Sequence, residues 1–230
     1  MAYSREHLSQ WVDFFDYNPA TRHRRRILVE LLSGLRFESI LEVGCGDGNL
    51  LRFLKRRFPC RAYGLDCDDS PAAARGGLDG FYRLDVSRTV PDVSADVVIA
   101  SEMLEHVEDE AAALRNIRSA CRGHLLLTVP GGPIRATDRY MGHLRHYRIE
   151  GLASLVERSG FRVRQSFAWG FPFHSIYKAL QDLVPGAMLR GFGSGAYGPG
   201  QKAVCGLLTA LFYLNLRRGG YQLFLLADIR

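Results

Sequence analysis

The sequence predicts an α/β fold in which helices cover both faces of a doubly wound parallel sheet. Apolar or β-branched runs near residues 38–43, 61–66, 80–84, 95–100 and 123–129 alternate with helical patterns near 48–58, 70–76 and 108–121. Right-handed crossovers between successive strands make those strands parallel. The 230 residues, 47% of them hydrophobic, suffice for one sizeable core, and no long linker divides the chain. We therefore expect a single domain.

The first strand ends in Glu42-Val43-Gly44-Cys45-Gly46-Asp47-Gly48, the most informative segment of the chain. Glycines at alternate positions let the backbone turn sharply and come close to a ligand. The helix that begins near Asn49 points its free N–H groups at that ligand. A dinucleotide loop would have a third glycine at position 49, and a phosphate loop would end in Gly-Lys-Ser or Gly-Lys-Thr. The segment departs from the first pattern and excludes the second.

This loop resembles motif I, E/D-x-G-x-G-x-G, of the class I S-adenosylmethionine-dependent methyltransferases, and it matches at Glu42, Gly44, Gly46 and Gly48. The resemblance implies a Rossmann-like sheet of seven strands, with S-adenosylmethionine as cofactor and S-adenosylhomocysteine as product. It implies that the loop holds the amino-acid half of the cofactor and that Glu42 holds the loop and the cofactor's ammonium group. The sixth strand and the antiparallel seventh strand would lie near residues 161–169 and 221–227.

Further cofactor contacts are expected where the next strands end. Asp66 ends the second strand, where its carboxylate can accept hydrogen bonds from both ribose hydroxyls, and Asp68 is the alternative. The position of Asp85 and Val86 resembles that of the family's loop beside the adenine amino group. The remaining cofactor-side residues are Cys45, Cys67, Ser101, Glu102 and Met103. We expect the two cysteines to be small packing residues.

The stretch Leu104-Glu105-His106-Val107 resembles the segment after the fourth strand in many small-molecule methyltransferases of this family. Chemistry in open parallel sheets occurs at this edge, so His106 is the candidate general base. A histidine that only packs in a short helix is an equal alternative, because alignment alone can drive methyl transfer. Glu102 and Glu105 either hold the imidazole or are solvated.

The loop at residues 138–148 is the second candidate for the acceptor side, because histidines, tyrosines and arginines are concentrated in it. His143, His146 and Tyr147 are predicted to bind or deprotonate the acceptor, and Arg139 and Arg145 to pair with an anionic group on it. A surface loop with solvated basic side chains is the alternative. His143 and His146 lack an evident third ligand, and the five cysteines include no C-x-x-C pair, so no metal is expected.

The expected organisation is a helical N-terminal lid at residues 1–36, a cofactor-binding core at 37–169, an acceptor-side insertion at 170–214 and a final strand at 215–230. The resemblance implies that this lid supplies an aromatic residue over the cofactor, for which Tyr17 is the candidate, and a basic side chain for the methionine carboxylate, for which Arg22 is the candidate. Glycines at residues 185–200 suggest a segment that is mobile or orders around the acceptor. The apolar run at 203–214 is too short to span a membrane, although contact with a membrane interface is allowed.

The expected reaction is methyl transfer to an oxygen or nitrogen of a small-molecule acceptor or biosynthetic intermediate. The net charge of +6 also allows an RNA methyltransferase, and a catalytically silent cofactor-binding subunit is a third class. The missing third glycine disfavours a nucleotide-dependent oxidoreductase. The polar N-terminus shows no signal peptide, so a cytoplasmic protein is expected.

Overall fold

The computed structural model describes residues 12–68, 76–183 and 196–230. Its elements, in chain order, are α1 (Val12–Tyr17), α2 (Pro19–Ser33), β1 (Ser39–Val43), α3 (Asn49–Lys55), β2 (Arg61–Asp66), β3 (Gly80–Arg83), β4 (Ala95–Ser101), a 3₁₀ turn (Leu104–His106), α4 (Glu110–Ala120), β5 (Cys121–Pro130), α5 (Ala136–Tyr140), α6 (Ile149–Arg158), β6 (Phe161–Trp169), α7 (Phe173–Leu183), α8 (Pro199–Phe212) and β7 (Gln222–Ile229).

The strands form one seven-stranded sheet in the order β3-β2-β1-β4-β5-β7-β6. The pairs from β3 to β5 are parallel, whereas β7 is antiparallel to both β5 and β6. The predicted doubly wound sheet, with its antiparallel seventh strand, is confirmed. The strand order reverses between β1 and β4, and ligands of such sheets bind in the crevice outside the carboxyl ends of these strands.

Two hydrophobic cores, one on each face, hold the helices to the sheet. One contains side chains of α4 and α6, including Leu114, Ile117 and Leu152. The other contains side chains of α2, α3 and α8, including Ile27 and Phe212. Every residue of β1 is buried, as expected of a parallel strand covered on both faces.

The predicted strands agree with the structure to within two residues at each end. The predicted helix at 70–76 and the glycine-rich segment at 185–200 lie largely outside the described residues. Among the helices that the structure describes, none is long and apolar enough to cross a membrane.

The N-terminal helices pack beside α8 and the residues just before it. The Asn18 side chain caps α2 by accepting the Thr21 N–H at 3.1 Å. From α2, His23 Nε2 lies 2.8 Å from the Thr209 carbonyl oxygen in α8. Tyr17 lies against Tyr197, with ring centroids 6.2 Å apart. The two segments expected to flank the crevice are therefore in direct contact.

Candidate functional site

The glycine loop between β1 and α3 forms a cradle. Gly44, Gly46 and Gly48 have φ angles of 75°, 52° and 77°, in the left-handed region that other residues rarely adopt. A Cβ at Gly44 would lie 2.6 Å from Met103 Cγ, so the loop packs tightly on the segment after β4. A Cβ at Gly46 would meet no atom of the described residues within 4 Å. The open side of the cradle is therefore at Gly46.

Two carboxyl groups flank this cradle, because β1 and β2 are parallel neighbours and end at the same edge. Glu42 is buried, and no described residue offers its Oε2 atom a hydrogen bond. Burial, together with the charges of Asp47 and Asp66, raises the pKa of Glu42 well above its usual range. Asp66 accepts the Gly46 N–H at 2.7 Å on Oδ2 and the Asp68 N–H at 3.0 Å on Oδ1. Asp66 therefore joins the loop to the end of β2.

The two cysteines of this region lie in different surroundings. Cys45 is buried, and a Cβ at Gly64 would lie 2.7 Å from its Sγ atom. The Cys45 thiol therefore packs on β2, so the part of Cys45 that can face a ligand is its backbone. Cys67 is exposed beside Asp66.

Asp85 and Val86 follow β3 in a turn that is held by its own side chains. Asp85 Oδ1 accepts hydrogen bonds from the N–H and hydroxyl of Ser87, at 2.9 and 2.6 Å, and Oδ2 pairs with Arg88. Val86 is buried, and its carbonyl accepts the Asn116 side-chain amide at 2.8 Å. The expected contact of this turn with adenine stays a prediction.

Glu102 follows β4 with a φ of 56°, which is uncommon for a residue other than glycine. Its Oε1 atom accepts hydrogen bonds from Thr128 at 3.0 Å and Gln222 at 2.8 Å, and its Oε2 atom lies 2.8 Å from Arg24 Nη1. Burial opposes ionisation, but the Arg24 guanidinium and the two hydrogen bonds outweigh it and hold the pKa of Glu102 below its usual range. The Ser101 hydroxyl lies 2.9 Å from that of Thr128. Glu102 thus joins α2, β5 and β7.

Three histidines gather on the side of this edge that the sequence predicts to receive the acceptor. His106 Nδ1 lies 3.2 Å from the Gly142 carbonyl oxygen. The rings of His106 and His143 meet edge to face, with centroids 4.9 Å apart. His143 Nδ1 lies 2.9 Å from His146 Nε2. Loss of hydration lowers the pKa of all three imidazoles, that of His143 to about 4, so they are neutral at pH 7; His106 is the most exposed of the three.

Two acidic residues adjoin the histidines, and sequence reasoning left their part open or missed it. Glu105 is fully buried, and neither carboxyl oxygen has a hydrogen-bond partner within the described part of the chain. Burial and the charge of Glu102 raise the pKa of Glu105 well above its usual range. Asp138 lies 3.6 Å from His146 Nε2 and 3.0 Å from Lys178 Nζ. The spacing of the histidines in the sequence did not reveal a third residue that could bind a metal ion with them. The structure places a carboxyl group on each side of the cluster, Glu105 on one side and Asp138 on the other.

Two residues predicted to meet the acceptor are held by protein contacts. The buried Tyr147 donates its hydroxyl to Glu110 at 2.6 Å, and burial raises its pKa above its usual range. Arg145 lies 3.2 Å from Glu110 and also donates to the carbonyl oxygens of Val107 and Glu108. The geometry favours a structural role for both side chains. Arg139 is exposed.

On the N-terminal side, Arg24 and Arg25 contact residues at the carboxyl edge of the sheet, whereas Arg22 is exposed. Arg24 pairs with Glu102, and Arg25 Nη2 donates to the Asn49 side chain at the start of α3. The basic run was visible in the sequence, but which arginine faces the sheet depends on how α2 packs. The choice of Arg22 as the basic lid residue has no support in these contacts.

The strand order, the glycine cradle and the acidic ends of β1 and β2 define a class I S-adenosylmethionine-dependent methyltransferase. Residues 5–166 match the family described as "Methyltransferase domain", and the chain belongs to that family. The enzyme is thus a methyltransferase with S-adenosylmethionine as its methyl donor.

The chain is similar to a probable S-adenosylmethionine-dependent methyltransferase of Mycolicibacterium smegmatis, with 30% identity over 65% of this chain and 61% of the relative. It is also similar to an uncharacterized methyltransferase of Mycobacterium bovis, with 25% identity over 71% and 86% of the two chains. A trans-aconitate 2-methyltransferase of Mycobacterium ulcerans is 36% identical over 61% of this chain and 56% of the relative.

Among solved structures, the N-methyltransferase NodS of Bradyrhizobium japonicum, in complex with S-adenosylhomocysteine, superposes with a TM-score of 0.58 at 16% identity. The match covers 94% of this chain and 90% of NodS. A possible histamine N-methyltransferase of Thermotoga maritima gives a TM-score of 0.62 at 14% identity, over 96% and 93% of the two chains. These similarities support the fold.

Proposed function

We propose that this methyltransferase acts on an oxygen or nitrogen atom of a small-molecule acceptor that enters beside His106 and His143. The observation that carries the proposal is the contact between the neutral imidazoles of His106 and His143. His106 lies on the turn directly after Met103, the residue that packs on Gly44 of the cofactor loop, so this turn links the proposed acceptor side to the cofactor side.

The residues of the loop fit the cofactor that the family uses. Gly46 has open space where a Cβ would stand, and the buried Glu42 has an oxygen without a partner in the described structure. We infer that Glu42 and the loop backbone hold the amino-acid half of the cofactor and that Asp66 accepts the ribose hydroxyls. The cofactor supplies a methyl group that is already activated by its sulfonium charge.

On the acceptor side, the chain orients a nucleophile and receives its proton. An O–H or N–H acceptor loses one proton for each methyl group that it gains. A carbonyl oxygen can only accept a hydrogen bond, so the contact with Gly142 assigns the His106 proton to Nδ1 and leaves a lone pair on Nε2. A neutral imidazole of this kind can hold the acceptor hydrogen or remove it.

The names of several relatives suggest one class of acceptor. The relatives from Mycobacterium ulcerans and from Acidovorax are trans-aconitate 2-methyltransferases, whose named substrate is a carboxylate. A carboxylate acceptor would need a cation on this side of the crevice. Arg24 and Lys178 are cations near the histidines, and each is paired with a carboxylate of the protein, Glu102 and Asp138. Hydroxyl and carboxylate oxygens are therefore both candidate acceptor atoms.

The test begins with calorimetric titration of S-adenosylmethionine, S-adenosylhomocysteine and, as a control, NAD. We expect the two sulfur nucleosides to bind and NAD not to bind. Release of S-adenosylhomocysteine would then be measured with panels of hydroxyl, carboxylate and amine compounds and with RNA. Turnover with RNA alone would overturn the small-molecule acceptor, and binding without turnover on any panel would favour a silent subunit.

His106→Ala tests the acceptor side separately. We expect a lower turnover number and a nearly unchanged affinity for S-adenosylhomocysteine, because the imidazole acts on the acceptor. Full turnover in this variant would leave alignment alone as the source of catalysis.

A further inference from the structure

The carboxyl group of Glu105 is the least satisfied polar group of the acceptor side. Its side chain is fully buried, and both of its oxygens are unpartnered within the described structure. Buried carboxyl groups are normally hydrogen bonded or paired, because an isolated charge away from water is costly. A partner that the protein itself does not supply would account for this position.

Two imidazoles converge on the same point. Glu105, His106 and His143 each offer one ligand atom, and these three atoms lie within 4.8 Å of one another. The turn that contains Glu105 is tied to the histidine loop, because the Leu144 N–H donates to the Glu105 carbonyl at 2.8 Å. The cluster therefore joins two segments that are far apart in the sequence.

The outer contacts of the rings match those of metal-ligating histidines, which typically give their second ring nitrogen to a carbonyl, carboxylate or other polar partner. His106 Nδ1 contacts the Gly142 carbonyl at 3.2 Å, and His143 Nδ1 contacts His146 at 2.9 Å. Both contacts leave Nε2 of the ring as the ligand atom.

We propose that Glu105, His106 and His143 bind a divalent first-row transition metal ion such as Zn²⁺, and that its open coordination positions take an oxygen atom of the acceptor. Two histidines and one carboxylate form a ligand set used by such ions when a position is left for a substrate or water.

In a second set, formed by Asp138, His143 and His146, the ligand atoms also lie within 4.8 Å of one another. Its carboxylate is already occupied: Lys178 lies 3.0 Å from Asp138 Oδ1, and the Arg135 N–H donates to Oδ2 at 3.0 Å. An ion there would face the ammonium group of Lys178. We therefore take Glu105, His106 and His143 as the ligands. His146 contacts the other ring nitrogen of His143, and Asp138 contacts His146, so these two residues orient the His143 ring.

This inference rests on the proposed function and refines its acceptor to an oxygen compound. With an ion bound, the two imidazoles are ligands, and the acceptor hydroxyl loses its proton to solvent because a bound cation lowers its pKa. Carboxylate, phenol and alcohol oxygens suit such an ion better than the ammonium form of an amine.

The experiment uses the full chain after treatment with a chelator, titrated with Co²⁺ in the visible range and with Zn²⁺ by calorimetry. We expect one equivalent of either ion to bind and to produce Co²⁺ absorption of a low-symmetry site. Glu105→Gln and His143→Gln should each weaken the affinity by at least about 100-fold, since even outer partners of such ligands are worth 10- to 100-fold. Asp138→Asn should weaken it by less.

His124→Gln is the matched control. His124 is also a half-buried histidine with a carboxylate partner, Asp228, but it lies on β5, outside the cluster. It should bind Co²⁺ like the unchanged protein. Calorimetry with S-adenosylhomocysteine, without metal, shows that each variant is folded. If the unchanged protein does not bind S-adenosylhomocysteine, the proposed function is overturned, whereas the metal site is not.

Absence of stoichiometric Co²⁺ and Zn²⁺ binding in the unchanged protein would overturn the inference. So would full affinity in Glu105→Gln, or a larger loss in Asp138→Asn than in Glu105→Gln. A turnover number that a chelator leaves unchanged would also overturn it and return His106 to the role of a free base.

Discussion

Gly46→Ala is the substitution that best separates ligand binding from folding in this structure. The new Cβ would meet no described atom within 4 Å, so the folded state pays only for the left-handed backbone at φ 52°. That strain costs roughly 1 kcal/mol for an alanine. For a chain of this size the melting temperature should fall by about 2–4 °C. The fold should survive.

The affinity for S-adenosylhomocysteine should fall much more. If the open space at Gly46 is where the cofactor meets the loop, the added methyl group occupies the surface that the ligand must touch. We expect the dissociation constant to rise at least about tenfold, which corresponds to 1.4 kcal/mol. Calorimetric titration and denaturant unfolding of the same preparation give the two quantities side by side.

Gly77→Ala is the control. Gly77 also has a positive φ, 88°, and a Cβ there would also have no described atom within 4 Å. It should lose a similar amount of stability and keep its affinity. Gly44→Ala should instead be destabilised by a further 1–3 kcal/mol or so, because its Cβ would lie 2.6 Å from Met103 Cγ. Equal affinities of Gly46→Ala and Gly77→Ala would refute the assignment of the cradle.

The remaining predictions concern charge and packing. Burial raises the folded-state pKa of Glu42 above its ordinary value of 4.5, so this group lowers the stability of the fold increasingly as the pH rises above that value. The unfolding free energy of Glu42→Gln should therefore rise relative to that of the unchanged protein, by about 1.4 kcal/mol for each unit by which the pKa is raised. Denaturant titrations on either side of the ordinary pKa measure this difference, and a difference that does not change with pH would contradict the prediction. Asp66→Asn should weaken S-adenosylhomocysteine binding by about 1.5–3 kcal/mol through the lost charge; calorimetry measures it, and an unchanged affinity would remove Asp66 from the site. Tyr147→Phe should lower the unfolding free energy by about 1–2 kcal/mol, because Glu110 loses a 2.6 Å hydrogen bond, and should keep its turnover number. A large loss of turnover in a folded Tyr147→Phe protein would restore Tyr147 to the catalytic residues.

The strands and the cofactor loop could be predicted because their signals are local. A parallel strand buried on both faces is a continuous apolar run, as at Ala95–Ser101, and the limits of such a run are visible in the sequence. Glycines that must adopt positive φ are visible in the same way, as at Gly44 and Gly46. Each of these features depends on few residues.

The acceptor side could be predicted only in part, because its contacts join distant segments. Arg24 meets Glu102 across 78 positions, and Gln222 meets the same carboxylate across 120. No spacing in the sequence reveals that Glu105 faces His143. The left-handed backbone at Glu102 has no local signal either, since tertiary contacts and not a glycine hold it there.

The position of β7 between β5 and β6 has a consequence for how the chain acquires its site during synthesis. The strands that carry the glycine loop, Glu42 and Asp66 are parallel neighbours made from the first half of the chain, and they can pair as soon as β4 has emerged from the ribosome. Among the described strands, β6 pairs only with β7, and Gln222 of β7 donates a hydrogen bond to Glu102. The newly made protein should therefore acquire its nucleoside-binding half first and its acceptor half last. Early binding of the nucleoside would then stabilise the growing chain before it can turn over any substrate.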